Sequence, residues 1–212
     1  MPSLLVKPLT VGALATNCYI LVGENKQAVI VDPGDDADYI INTLNDLQCQ
    51  PICLMATHGH FDHILAAREL QLAFKIPFFI HKADTFLVSR MQGSARHFLQ
   101  YEVVESPPEI SSTFETRFPF KFDGAHIEII ESPGHTPGSV CFYLPEIKTL
   151  LSGDTIFAGG AVGQTDFSYS SQIELAQSMK KITRLPEETL VYPGHGDPTT
   201  IAKESKIHRV AV

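Results

Sequence analysis

The chain has 212 residues, 44% of them hydrophobic, and a net charge of −8 from sixteen Lys and Arg against twenty-four Asp and Glu. That size and apolar share suit a globule with a substantial core, built as one large domain or two small ones. The acidic balance argues against a nucleic-acid partner, and no apolar run reaches the ~18 residues that a membrane span needs.

Residues 1–16 hold Pro2, Lys7 and Pro8 within their apolar region, so they read as a first strand around Leu4–Val6 rather than a leader. Cys18–Val22 and Ala28–Val31 read as the next strands, separated by turns at Gly12 and Gly23. In VDPGDDADYIINTLNDL, Pro33-Gly34 makes a turn and Asp35 or Asp36 caps a helix to Leu47. Ile52–Ala56 is short, continuous and apolar, as a buried strand is, and helical spacing follows from Ile64 to Phe74. Ile76–Ile80 reads as a strand, with Pro77 arguing for a sheet edge or for the strand's first residues.

Residues 83–100 read as helix. Residues 101–120 read as irregular surface, marked by Pro107-Pro108 and Ser111-Ser112-Thr113. Strands resume at Phe120–Phe122, Ala125–Ile130, Val140–Leu144 and Thr149–Ser152. A helix at Ile173–Ile182, a strand at Leu190–Tyr192 and a helix at Ile201–His208 follow. Strands then helices occur in each half, which suggests two layered halves with the sheets inside. The basic group Lys203, Lys206, His208 and Arg209 reads as a solvated helix face. Cys18, Cys49, Cys53 and Cys141 form no C-x-x-C, which predicts free thiols and a reducing, cytoplasmic setting.

Between the Ile52 strand and its helix lies ATHGHFDH, Ala56 to His63, with three of the chain's nine histidines and an aspartate. Open α/β sheets place ligands on such loops, at the carboxyl ends of strands. His58 and His60 alternate along extended backbone and can point one way. Asp62 and His63 stand about one turn further on, and Asp62 also suits a helix cap or first turn. A lone histidine has many roles. Three with a carboxylate on one loop are what zinc recruits.

Three later fragments repeat the pattern of a strand followed by a turn with a metal-capable side chain: IIESPGHTPGS with His135, LLSGDTIF with Asp154 and LVYPGHGDP with His195. Each is weak alone, since a lone Asp before Thr commonly caps a helix. Together they define one candidate site.

These motifs resemble the metallo-β-lactamase superfamily, in its hydroxyacylglutathione hydrolase (glyoxalase II)-like branch. The pattern T-H-x-H-x-D-H is met by Thr57 to His63, and the later positions by His135, Asp154 and His195, over about Cys18 to Thr200. The resemblance implies an α/β fold, a four-layer αβ/βα sandwich with two mixed sheets inside and helices outside. It implies a single domain over residues 1–212, without the C-terminal helical substrate domain of full-length glyoxalase II enzymes. It implies two divalent metal ions, zinc before iron or manganese. His58, His60 and His135 would hold the first, Asp62, His63 and His195 the second, and Asp154 would bridge them. Asp62 and Asp154 are then catalytic carboxylates as well as ligands. Asp32 in VDPG also matches a family position, where it would fix a ligand imidazole, although Asp-Pro-Gly favours a turn by itself.

The implied activity is hydrolysis of a small-molecule thioester, acylglutathione or a relative, by attack of a metal-bridging hydroxide. Gln164 in VGQTDFSYSS stands where relatives tend to carry Arg, so glutathione recognition does not follow from the motifs. Tyr169, Arg90 and Arg117 are candidates for leaving-group recognition, each also readable as ordinary surface. The alternatives are a one-iron persulfide dioxygenase using His58, His135 and Asp154, and a phosphodiesterase on the same binuclear site. A non-enzymatic metal-stabilised scaffold is disfavoured because none of the seven donors is missing.

Overall fold

The computed structural model describes residues 4–114, 122 and 126–210. Six strands form a first sheet in sequential order: β1 (Leu5–Val11), β2 (Thr16–Val22), β3 (Gln27–Val31), β4 (Gln50–Met55), β5 (Phe78–His81) and β6 (Ile110–Phe114). The pairs β1–β2 and β2–β3 are antiparallel, and β3 through β6 run parallel. Five strands form the second sheet: β7 (Glu128–Glu131), β8 (Val140–Leu144), β9 (Thr149–Gly153), β10 (Leu190–Pro193) and β11 (Thr199–Thr200), ordered β11-β10-β9-β8-β7. Only β9 and β10 are parallel there.

Alternation along the strands sorts the apolar side chains into three cores. Tyr19, Leu21, Val29, Val31, Cys53 and Met55 face inward and meet Phe142, Leu144 and Leu151 of the second sheet. Ile20, Ile30 and Leu54 face outward, onto Ile40 and Leu44 of α1 (Ala37–Asp46), Leu70 of α2 (Ala67–Phe74) and Met91 of α4 (Met91–Leu99). On the far side, Cys141, Tyr143 and Leu150 pack on Met179 and Ile182 of α5 (Gln172–Ile182) and Ile201 of α6 (Ile201–Val210). Each large apolar side chain buried this way contributes ~1.5–3 kcal/mol. The result is the four-layer αβ/βα sandwich. Among the described residues, no helix is long and apolar enough to cross a membrane.

Local differences from the sequence reading have physical causes. Residues 110–114 form β6, not irregular surface. Ser111, Ser112 and Thr113 are polar because they face solvent on an edge strand, and Ser111 Oγ accepts the Phe78 N–H at 3.1 Å. Pro77 precedes β5, which lies inside the sheet between β4 and β6. Pro8 is tolerated because β1 is the edge. The helix expected over 83–100 is split by Arg90 into α3 (Thr85–Ser89) and α4. A 3₁₀ turn at Phe61–His63 delays α2 to Ala67. Asp36 precedes α1 but caps nothing, since its carboxylate accepts the Gly12 N–H at 2.8 Å instead. The strand expected at Phe120–Phe122 falls outside the described residues except for Phe122, as does Ala125. All four cysteines are free.

Candidate metal centre

The parallel strands of both sheets end on one side of the sandwich. Asp32 follows β3, His58 to His63 follow β4, Asp154 follows β9 and His195 follows β10, while His135 comes from the β7–β8 turn. Backbone ties join the two sheets there. Val140 N–H donates to Thr57 O at 2.8 Å, and Asn17 N–H donates to Gly194 O at 2.7 Å. The Asn17 amide adds bonds to Pro193 O at 3.0 Å and Gly196 O at 2.8 Å.

All seven side chains expected to converge do so. His58 Nε2 lies 3.1 Å from His60 Nδ1, and His135 Nε2 lies 2.9 Å from the same atom. Asp62 Oδ2 stands 3.7 Å from His63 Nε2 and 3.3 Å from His195 Nε2. Asp154 spans the two groups: Oδ1 is 3.5 Å from His63 Nε2, and Oδ2 is 3.6 Å from His135 Nε2 and 3.7 Å from His195 Nε2. Donors ~2.1 Å from one tetrahedral cation sit ~3.4 Å apart, and the separations found, from 2.9 to 3.7 Å, bracket that value. The trios His58–His60–His135, His58–His63–Asp154 and Asp62–His63–His195 each bring their ligand atoms within 4.8 Å of one another. His63 Nε2 and Asp154 Oδ1 are buried with no hydrogen-bond partner, a costly state for polar atoms unless something else occupies the space between them.

The partners on the far side of each ring explain the orientation. Thr57 Oγ donates to Asp32 Oδ2 at 2.7 Å, so at 3.1 Å it accepts from His58 Nδ1–H. His63 Nδ1–H donates to Asp32 Oδ2 at 3.0 Å, and His135 Nδ1–H donates to Gln164 O at 2.8 Å. His195 Nδ1–H donates to Leu14 O at 3.1 Å, and His60 Nε2 shares a hydrogen bond with the Tyr169 hydroxyl at 2.9 Å. Every ring has a partner for its outer nitrogen and turns the other nitrogen inward. Five inward imidazole nitrogens and two carboxylates gathered in one space are a donor set for cations. The residues therefore fit divalent metal.

Protonation follows the same logic. Burial first, and then the neighbouring imidazoles, holds His58 well below its usual value and pushes His60 down to about 3. Burial opposes charge on His63, but Asp154, Asp62 and Asp32 together lift it to about 10. Burial likewise opposes charge on Asp62, yet His63 and His195 hold its carboxyl below the ordinary range.

Two residues that sequence reasoning did not single out shape the site. Asp84 is fully buried. It accepts the Gly59 N–H at 2.9 Å, the Gly138 N–H at 2.6 Å and the Thr136 hydroxyl at 2.7 Å, binding the His58–His60 loop to the His135 turn. In HKADTF it reads only as a helix start. Glu204, buried in α6, accepts the Gly160 N–H at 2.7 Å and the Thr199 hydroxyl at 2.6 Å, anchoring the loop that continues to Gln164.

The centre opens into a cleft of about 540 Å³ whose apolar lining includes Phe61, Phe98, Phe157, Val162 and Phe167. Tyr169, readable in sequence as plain surface, lines this cleft and holds His60. Gln164 lines it too, and its backbone carbonyl, rather than its side chain, contacts His135. Arg90 lies over the Phe86 ring, and Arg117 is outside the described residues.

A sandwich of two sheets between helices, with a His/Asp cluster at the strand ends, defines the metallo-hydrolase class. The chain belongs to the metallo-beta-lactamase superfamily, whose model matches residues 11–195. Over 203 residues it is 32% identical to the hydroxyacylglutathione hydrolase GloC of Haemophilus influenzae, covering 95% of each chain. It is 32% identical to the probable metallo-hydrolase YqgX of Bacillus subtilis, over 92% of each. Among solved structures it resembles TTHA1623 in a di-iron-bound form, with TM-score 0.85 and 32% identity over 94% of this chain and 97% of that one. It also resembles the BLEG-1 B3 metallo-beta-lactamase, with TM-score 0.81 and 33% identity over 95% and 97%.

Proposed function

We propose that the protein is a binuclear metal-dependent hydrolase of thioesters, with both halves of residues 1–212 acting as one domain. In this reading His58, His60 and His135 hold one divalent cation, Asp62, His63 and His195 hold the second, and Asp154 reaches both. Zinc is the expected ion, because imidazole and carboxylate are its usual oxygen and nitrogen donors. The observation that carries the reading is the convergence of five anchored imidazoles and two carboxylates, with His63 Nε2 and Asp154 Oδ1 buried and without a hydrogen-bond partner. The likeness to a protein named hydroxyacylglutathione hydrolase supports the thioester.

Divalent cations, when bound here, supply a water that is nucleophilic at neutral pH and polarise the acyl carbonyl. The chain's own residues set up that chemistry. Asp62 and Asp154 offset the positive charge. Asp32 holds His63 directly and His58 through Thr57. The Tyr169 phenol is pushed up to about 12, by burial first and by the Asp84 charge next, so it stays protonated. It accepts from His60 and keeps its own O–H to donate to a bound substrate. The carbon–sulfur bond breaks and a thiolate leaves. With a pKa of ~8.5, a thiolate needs little help from a general acid.

A one-iron redox centre built on His58, His135 and Asp154 would leave Asp62, His63 and His195 without a task. The test uses zinc-loaded protein on acylglutathione and acyl-CoA thioesters, beside bis-p-nitrophenyl phosphate and a cephalosporin. Thioester turnover that chelation abolishes and zinc restores is the expected result. No thioester turnover, or faster hydrolysis of either other substrate, rejects the proposal. A single iron with oxygen uptake on glutathione persulfide would replace it with the redox reading.

A further inference from the structure

A row of rings leads out of the metal centre. Phe167 lies against His60 with ring centres 5.2 Å apart, and stacks on Tyr169 at 5.3 Å with planes 7° from parallel. Phe86 of α3 meets Tyr169 edge-on at 5.5 Å, and the Arg90 guanidinium lies over Phe86, 5.2 Å from its centre. Arg90 immediately precedes α4. Its carbonyl accepts the Ser94 N–H at 3.0 Å, and Ser94 and Phe98 of α4 line the cleft.

Charge is distributed unevenly along this path. Among the described residues, none of the cleft-lining side chains is a lysine or arginine. Arg68 and Arg96 are paired with Glu109 and Glu102, whereas Arg90 is exposed and has no carboxylate partner among the described residues. The carboxylates whose charges reach Tyr169 are Asp84 and Asp166. Asp84 is buried and committed to Gly59, Gly138 and Thr136, which among the described residues leaves Asp166 as an exposed competitor.

An aromatic strip accepts an extended chain with little demand on its sequence of atoms. A free guanidinium at the end of such a strip supplies what the strip lacks, a planar fork for a carboxylate or phosphate. We infer that Arg90 is a specificity residue: the thiol-bearing arm of the substrate runs along Phe167 and Tyr169 and ends in an anionic group held by Arg90. This rests on the thioesterase reading of the metal centre. Carboxylate and phosphate ends share the required chemistry, and the experiment separates them.

The experiment compares wild type, Arg90→Ala and Arg90→Lys on three thioesters: acylglutathione, acyl-CoA and the neutral acyl-N-acetylcysteamine. Arg90→Ala should raise KM about fivefold for an anionic arm, the upper end for an exposed charge pair, with kcat unchanged. The neutral thioester should shift less than about twofold, and Arg90→Lys should recover part of the loss. A response confined to acyl-CoA indicates phosphate, and one confined to acylglutathione indicates carboxylate. Equal losses on neutral and anionic thioesters, or no loss on either anionic one, overturn the inference.

Calorimetric binding of S-hexylglutathione and S-hexyl-coenzyme A needs no turnover. If Arg90→Ala weakens either while wild type hydrolyses no thioester, the thioesterase reading falls and the role of Arg90 stands. If Arg90→Ala weakens neither, or wild type binds neither, the Arg90 inference falls.

Discussion

Asp154 is the side chain through which the two donor groups touch, one oxygen facing His63 and the other facing His135 and His195. Asparagine would keep its size but remove the charge and one of the two oxygens. Asp154→Asn should therefore lose at least one metal equivalent while the fold survives, because the residue lies on a loop. Elemental analysis beside circular dichroism checks this, and two equivalents retained in the variant would show that Asp154 is not the bridge. His63 gives a second prediction. Its folded value of about 10 lies above the ordinary 6.5. In metal-free protein its stabilising contribution is therefore complete below about 6.5 and lost as pH rises through about 10. At pH 7.5 the metal-free His63 carries a proton that an incoming cation must displace. Zinc titrations in buffers of different ionisation enthalpy should show at least one proton released per protein, and zero release would contradict this.

At the scale of elements, the site depends on tight turns after strands. Gly194 follows β10 and packs so closely that an added Cβ would collide with Asp154 Oδ1 and His63 Cε1. Gly153 ends β9 with φ +48, and a Cβ there would strike the Thr57 hydroxyl. The crowding is with donors and their supports rather than with the core. Gly194→Ala should accordingly cost metal affinity more than folding. We expect at least tenfold weaker zinc binding, in the range of lost support around a ligand, with a metal-free melting temperature near that of wild type. Competition with a chromophoric chelator measures the first quantity and thermal scanning the second. A lower metal-free melting temperature with unchanged affinity would assign Gly194 to the fold instead.

For the whole molecule, the centre is shared between sheets. His58, His60, Asp62 and His63 come from the first sheet, and His135, Asp154 and His195 from the second. A cation bound by both halves acts as a clasp, present only in the folded state. Free zinc at a hundred times its dissociation constant should stabilise the fold by ~2.7 kcal/mol, which for this length raises the melting temperature by roughly 5–10 °C. Chelation should remove that gain in a single cooperative transition. Two separated transitions would mean that the halves melt independently.

The sequence alone determined which seven side chains were candidate donors, because strand, turn and metal-capable residue are adjacent in each motif and the residue types state their chemistry. It determined most strands too, since alternation is a local signal: Cys18–Val22 lies within β2, and Val140–Leu144 coincides with β8. Tertiary structure decided what depends on distant partners. β6 is a strand only because β5 offers it an open edge, and its serines carry no apolar pattern. Asp84 and Glu204 look like helix-start and surface acids until folding buries them against backbone N–H groups from other loops. In sequence Tyr169 and Arg90 are candidates for leaving-group recognition that read equally well as ordinary surface. Packing alone set Tyr169 against His60, 109 residues away, and joined the row to Phe86 and Arg90, because contacts at such separations leave no periodic trace in the chain.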